Sequence, residues 1–128
     1  MTRKSREKRD VAVTVHLTKS EKAALEKLTA VWDLDAAVIG RRLIQSLLRG
    51  KMSLPALLQK YRKKSAAEEP ESRFHESRAY RVYIRMTRDE MRKLSALADE
   101  GFYFPGTMAR ILMELLLMGI IEQNDIWE

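Results

Sequence analysis

The chain has 128 residues, with 24 Lys and Arg against 18 Asp and Glu, a net charge of +6, two histidines and no cysteine. That length allows one domain or two small ones, and the missing thiols exclude disulfides, thiolate nucleophiles and cysteine-bound metals. The basic excess favours a polyanionic partner, and a chain without cysteine suits a reducing compartment, so a cytoplasmic protein is expected. The N-terminus is basic but no apolar stretch follows it, so no secretory signal is expected. The longest apolar run, Ile111 to Ile121, is broken by Glu114 and is too short to cross about 30 Å of hydrocarbon, so no membrane partner is expected.

Residues 1–9 contain Arg3, Lys4, Arg6, Lys8 and Arg9 and offer no periodic apolar residue to bury, which predicts a flexible basic arm. A first unit, 10–50, opens on a strand in which Val11, Val13, Val15 and Leu17 face one way and Ala12, Thr14 and His16 the other. Thr18 caps a helix, with Glu21 placed to reach back to the cap amide. That helix turns Leu25, Leu28 and either Val31 or Trp32 inward and stops near Asp33-Leu34. A second helix starts with Asp35 as cap, buries Val38, Ile39, Leu43, Leu47 and Leu48, and ends at Gly50. Residues 51–78 read as a short helix, Ser53 to about Tyr61, followed by a Lys-, Ser-, Glu- and Pro-rich linker from residue 64.

The second unit, 79–121, repeats the plan. Its strand places Val82, Ile84 and Met86 inward and Arg81, Tyr83 and Arg85 outward. Thr87 caps the next helix with Glu90 in the matching position. The connector Phe102-Tyr103-Phe104-Pro105-Gly106 reads as core and turn packing, with a base-stacking platform as the alternative. The last helix starts at Pro105 or at Thr107 and runs to about Met118. Residues 122–128 read as a tail.

The two units align without gaps at an offset of 69 residues, which superposes Leu25 on Leu94, Arg41 on Arg110, Leu43 on Leu112, Leu47 on Leu116 and Gly50 on Gly119. One short strand per unit leaves its amides and carbonyls unpaired, so each strand needs the other. The expected fold is mainly α with a two-stranded antiparallel β-ribbon, the two units sharing one core. Tethering at an effective concentration on the order of millimolar favours pairing within the chain.

An alternating strand, a capping threonine and two helices with paired aliphatics, present twice in register, resemble the ribbon-helix-helix (Arc/MetJ) family of DNA-binding proteins in its tandem single-chain form, including the TraY-like relaxosome accessory factors. The resemblance implies a bacterial protein that inserts its ribbon into the major groove of double-stranded DNA. It assigns base reading to Ala12, Thr14, His16, Arg81, Tyr83 and Arg85. Phosphate binding falls to the basic arm and to the second-helix N-termini, at Asp35, Ala36 and Ala37 and at Gly106 and Thr107. Because the halves carry different readers, the target is expected to be asymmetric. The implied roles are DNA transfer beside a relaxase or transcriptional repression; a protein-interaction module with incidental charge is the alternative.

One difference between the units points elsewhere. Ile111, Leu115 and Met118 stand where the first unit has Arg42, Ser46 and Arg49. This apolar stripe is covered either by the chain, through 53–61 or Ile126 and Trp127, or by a protein partner or a second copy on DNA. His16 binds a base or phosphate or is a solvated surface histidine, and His75 lies in the linker. With no cysteine and no acidic cluster beside the two histidines, neither a metal nor a cofactor is expected. No phosphate-cradling glycine loop and no nucleophile with a matched base is present, so no enzyme is expected.

Overall fold

The computed structural model describes residues 9–67, 77–101 and 103–127. Arg3, Lys4, Arg6 and Lys8, the linker residues 68–76 with His75, and Phe102 lie outside that set. The elements are β1 (Val11–Leu17), α1 (Lys19–Trp32), α2 (Ala36–Leu48), α3 (Leu54–Ala67), β2 (Tyr80–Met86), α4 (Arg88–Glu100), α5 (Pro105–Leu117) and α6 (Gln123–Ile126). The protein is mainly helical, with one two-stranded antiparallel sheet formed by β1 and β2. No described helix is long and apolar enough to cross a membrane.

Alternation in the sequence becomes two faces in the ribbon. Val13, Val15, Leu17, Ile84 and Met86 are buried, and Val11 and Val82 pack against them. Each strand rests on the second helix of the opposite half, α2 on β2 and α5 on β1. One core therefore draws on both halves, with Leu25, Ile39, Leu43 and Ile44 beside Leu94, Met108, Leu112 and Met113. Gly40 marks the closest approach of α2 to the ribbon, where an added Cβ would collide with the buried Ile84 side chain.

Both predicted capping boxes form. Thr18 Oγ1 accepts from the Glu21 amide at 3.1 Å while Glu21 Oε1 accepts from the Thr18 amide at 2.9 Å, and Thr87 and Glu90 make the same pair at 3.0 and 3.0 Å. Replacing Thr87 with alanine is expected to cost about 1 kcal/mol of stability, seen as a lower urea midpoint at unchanged slope. An unshifted midpoint would mean that the cap contributes nothing. The second helices end alike, through Gly50 at φ 78° and Gly119 at φ 82°, a left-handed conformation open to glycine.

Several boundaries differ from expectation. Trp32, not Val31, turns inward; Val31 is 77% exposed. α3 continues to Ala67, so residues expected to open the linker are helical, as their Lys and Ala content permits. The tail contains α6, whose first residue, Gln123, is the 69-residue counterpart of Leu54, the first residue of α3. The repeat thus extends into a third helix, of fourteen residues in one half and four in the other. Each third helix packs on the opposite second helix, α3 on α5 and α6 on α2.

That crossing settles the apolar stripe. Ile111 and Leu115 are 1% and 0% exposed and Met118 is half-buried, so the stripe is covered from within the chain and the expectation of a partner surface there is set aside. Of the two covers considered, 53–61 lies, from Leu54 on, in α3, which packs on α5, whereas Ile126 and Trp127 belong to the end of the chain that seats on α2. There Trp32 meets Trp127 edge-on with ring centroids 6.5 Å apart, and the Arg42 guanidinium lies 4.5 Å over the Trp127 ring.

Candidate nucleic-acid interface

The six outward positions of the ribbon form three cross-strand pairs: Ala12 with Arg85, Thr14 with Tyr83, and His16 with Arg81. Thr14 is half-buried and the other five are exposed, Tyr83 by 56%. Among the described residues neither Arg81 nor Arg85 has an ion-pair partner. Their spacing along β2 places the two arginines at opposite ends of the row. One end therefore presents Arg beside Ala and the other Arg beside His, with Thr and Tyr at the centre. The arginines stand four residues apart on one strand, about 13 Å, or roughly four base steps.

The second-helix N-termini flank this row. Neither Asp35 nor Phe104 makes a side-chain cap, although both have the extended backbone of an N-cap. The first amide to join each helix is that of Ile39, bonded to the Asp35 carbonyl, and that of Met108, bonded to Phe104. This leaves the Ala36, Ala37 and Val38 amides at α2 and those of Gly106 and Thr107 at α5, since Pro105 has no N–H. Gly106 lies so close to β1 that an added Cβ would stand 3.1 Å from the Thr14 carbonyl oxygen. At the Arg85 end of the row Arg41 Nε approaches the Arg85 carbonyl oxygen at 3.4 Å. Burial lowers the Arg41 pKa, as does the positive charge of Arg9, while Glu90 opposes them. Of the aromatic connector, Tyr103 packs against the core as expected. Phe104 does not, and stands 80% exposed beside the N-terminus of α5, because its extended N-cap conformation directs it outward.

The two halves differ in buried charge. Glu114 is 5% exposed, accepts from the Tyr61 hydroxyl at 2.8 Å and from Arg110 at 3.0 Å, and lies 3.5 Å from Arg78. Glu21 reaches the same carboxylate. Burial, together with the hydrogen bond and negative charge of Glu114, pushes the Glu21 carboxyl up from 4.5 to about 7. Glu114 is lowered: its burial opposes the shift, but bonds from Glu21, Tyr61 and Arg110 outweigh it. The two carboxyls are thus pushed apart, Glu21 upward and Glu114 downward. In the opposite half the counterparts are Glu90 and Gln45, whose amide donates to the carboxylate at 3.1 Å without needing a proton from it.

Sequence reasoning did not foresee the arginines of α2 as a group. Arg9, Arg41, Arg42 and Arg49 line one cavity, and the available signal was the replacement of Arg42 and Arg49 by Ile111 and Met118 in the repeat. Comparison with known proteins finds no matching family profile, no matching curated protein and no matching solved structure.

Proposed function

We propose that the chain is a sequence-specific double-stranded DNA-binding protein of the tandem ribbon-helix-helix type, acting as a pseudo-dimer in one polypeptide. The observation that carries this reading is the outward row of the ribbon: two arginines without ion-pair partners among the described residues, a tyrosine, a threonine and a histidine on a rigid strand pair whose opposite face is core. A two-stranded ribbon is narrow enough for the major groove, where arginine donates to both guanine acceptors and threonine bonds a base edge or touches a thymine methyl.

The pseudo-dimer is supported by the register. Thr14 pairs with Tyr83, its own counterpart at the 69-residue offset, so the repeat relation and the strand pairing share one approximate two-fold axis through the centre of the row. The helix N-termini on either side, with Arg9 and Arg41, are suited to the flanking phosphates. Unequal ends suit a directional target, and accessory binding at a conjugative transfer origin beside a relaxase is the role that fits it. A repressor would use the same contacts, so the genomic position of the bound sequence separates the two.

Selection of bound duplexes from a randomised pool at about 0.15 M salt is expected to enrich a non-palindromic motif, specificity being interpretable only at stated salt. Recovery of unselected sequence would sink the proposal. A relaxase gene beside a genomic match would assign the protein to transfer, and a match within a promoter would assign it to repression.

A further inference from the structure

We propose that Phe104 is a DNA-contact residue, its ring packing on the deoxyribose of the backbone strand that passes the β1 edge of the ribbon. The inference rests on the DNA-binding reading of the ribbon. Phe104 is 80% exposed, the most exposed aromatic side chain among the described residues. Folding does not account for phenylalanine at this position. It is the N-cap of α5, where a side-chain oxygen would accept from a helix amide, and a phenyl group has no acceptor to offer. Nor does it join the core, although the adjacent Tyr103 packs there. A phenyl ring left in water forgoes the gain of burial, and a surface that covers it on binding restores that gain.

Its place in the fold selects the surface. Gly106, two residues on, lies against β1, an added Cβ there standing 3.1 Å from the Thr14 carbonyl oxygen. Two residues span at most about 7 Å, so Phe104 stands beside the ribbon edge near the centre of the outward row. The major groove is about 12 Å wide and paired strands lie about 5 Å apart, so a group beyond the strand edge meets the groove wall rather than the bases. That wall alternates phosphate with deoxyribose. The amides of Gly106 and Thr107 suit the phosphate, whereas a ring with neither charge nor donor suits the C–H surface of the sugar. The repeat makes the contact one-sided. At the 69-residue offset Phe104 corresponds to Asp35, which is exposed, makes no side-chain cap and carries a charge that a backbone phosphate repels.

Hydroxyl-radical cleavage of the selected duplex at saturating protein, which reports exposed deoxyribose, tests this together with binding titrations of Phe104→Ser and Phe104→Leu in the full chain. Phe104→Ser should open sugars on one strand, beside the centre of the motif, that the unaltered chain protects, and leave the other strand as it was. Its affinity should fall about tenfold on selected and scrambled duplex alike, because a sugar carries no sequence information. The slope of log affinity against log salt should not change, since a phenyl ring releases no counterion. Its urea midpoint should hold or rise, serine being a favoured cap. Phe104→Leu should keep the protection and most of the affinity. A loss under about twofold for Phe104→Ser, a changed salt slope, or unaltered protection in that variant would each overturn the proposal. An equal loss on single-stranded DNA would overturn it too, by assigning the ring to unpaired bases. A chain that binds no duplex removes the ribbon reading and this contact with it, whereas a chain that binds but is indifferent to Phe104 removes the contact alone.

Discussion

Replacing Arg81 and Arg85 together with alanine is expected to lower affinity for the selected duplex by on the order of a hundredfold or more, while binding to unrelated duplex falls far less. Each bidentate arginine contact to guanine discriminates by about 1–3 kcal/mol, so two of them account for roughly 2–6 kcal/mol. The arginines are exposed, at opposite ends of the outward row, and the substitution removes nothing from the core. Replacing Thr14 and His16 with alanine should cost less, because Thr14 is half-buried and neither side chain carries the forked donors of a guanidinium. The register adds a positional expectation: single substitutions should relax specificity at opposite ends of the motif, Arg85 at the end shared with Ala12 and Arg81 at the end shared with His16. Binding titrations of both double variants on selected and scrambled duplexes would decide the matter, and equal losses for the two pairs would remove the assignment of the arginines as principal readers.

Stability is expected to peak near pH 5 and to fall by on the order of 2–3 kcal/mol by pH 8, and Glu21→Gln is expected to remove that fall. Burial and Glu114 raise the Glu21 carboxyl from 4.5 to about 7. A raised carboxyl binds its proton more tightly in the folded state. Its contribution is therefore complete below about pH 4.5 and is lost as pH rises towards 7. Glu114 is shifted down and acts in the opposite sense, stabilising above 4.5 and failing as pH falls below it. The groups facing the pair are Tyr61 from α3, Arg110 from α5 and Arg78 ahead of β2. Their positive charge and donors favour the ionised form of Glu114, which in turn raises Glu21. A glutamine at 21 keeps the oxygen that accepts from the Thr18 amide and supplies a permanent donor to Glu114. It reproduces, with the roles exchanged, the Gln45–Glu90 bond of the other half at 3.1 Å. Urea unfolding of both proteins between pH 5 and 8 tests this; parallel stability profiles would show that the proton on Glu21 does not govern the slope.

Residues 11–17 and 80–86 were recognisable as strands because apolar side chains alternate there, and Thr18 and Thr87 marked helix starts because glutamate stands three residues later in both. Those are local signals, set by the period of the backbone and by what a side chain can reach within one turn. The need for the two strands to pair followed from unpaired backbone groups, and the chain meets it with its own second strand. What local pattern could not supply was who packs on whom. The crossing of α3 onto α5 and of α6 onto α2 depends on non-local burial, so Ile111 and Leu115 could be known as apolar without being known as covered. The same crossing leaves the arginines of α2 around a cavity, because a four-residue helix cannot cover what a fourteen-residue helix covers in the other half. Sequence alone gave Glu114 as an interruption in an apolar run. Its role emerged once folding placed Tyr61, Arg110 and Glu21 around it, since a buried carboxylate is tolerated where donors converge from separate parts of the chain. The periodicity of the chain, read residue by residue, was enough for the elements and for the faces of the ribbon; the distribution of charge between its halves depended on contacts between residues far apart in the chain, as in Tyr61 with Glu114, 53 positions away.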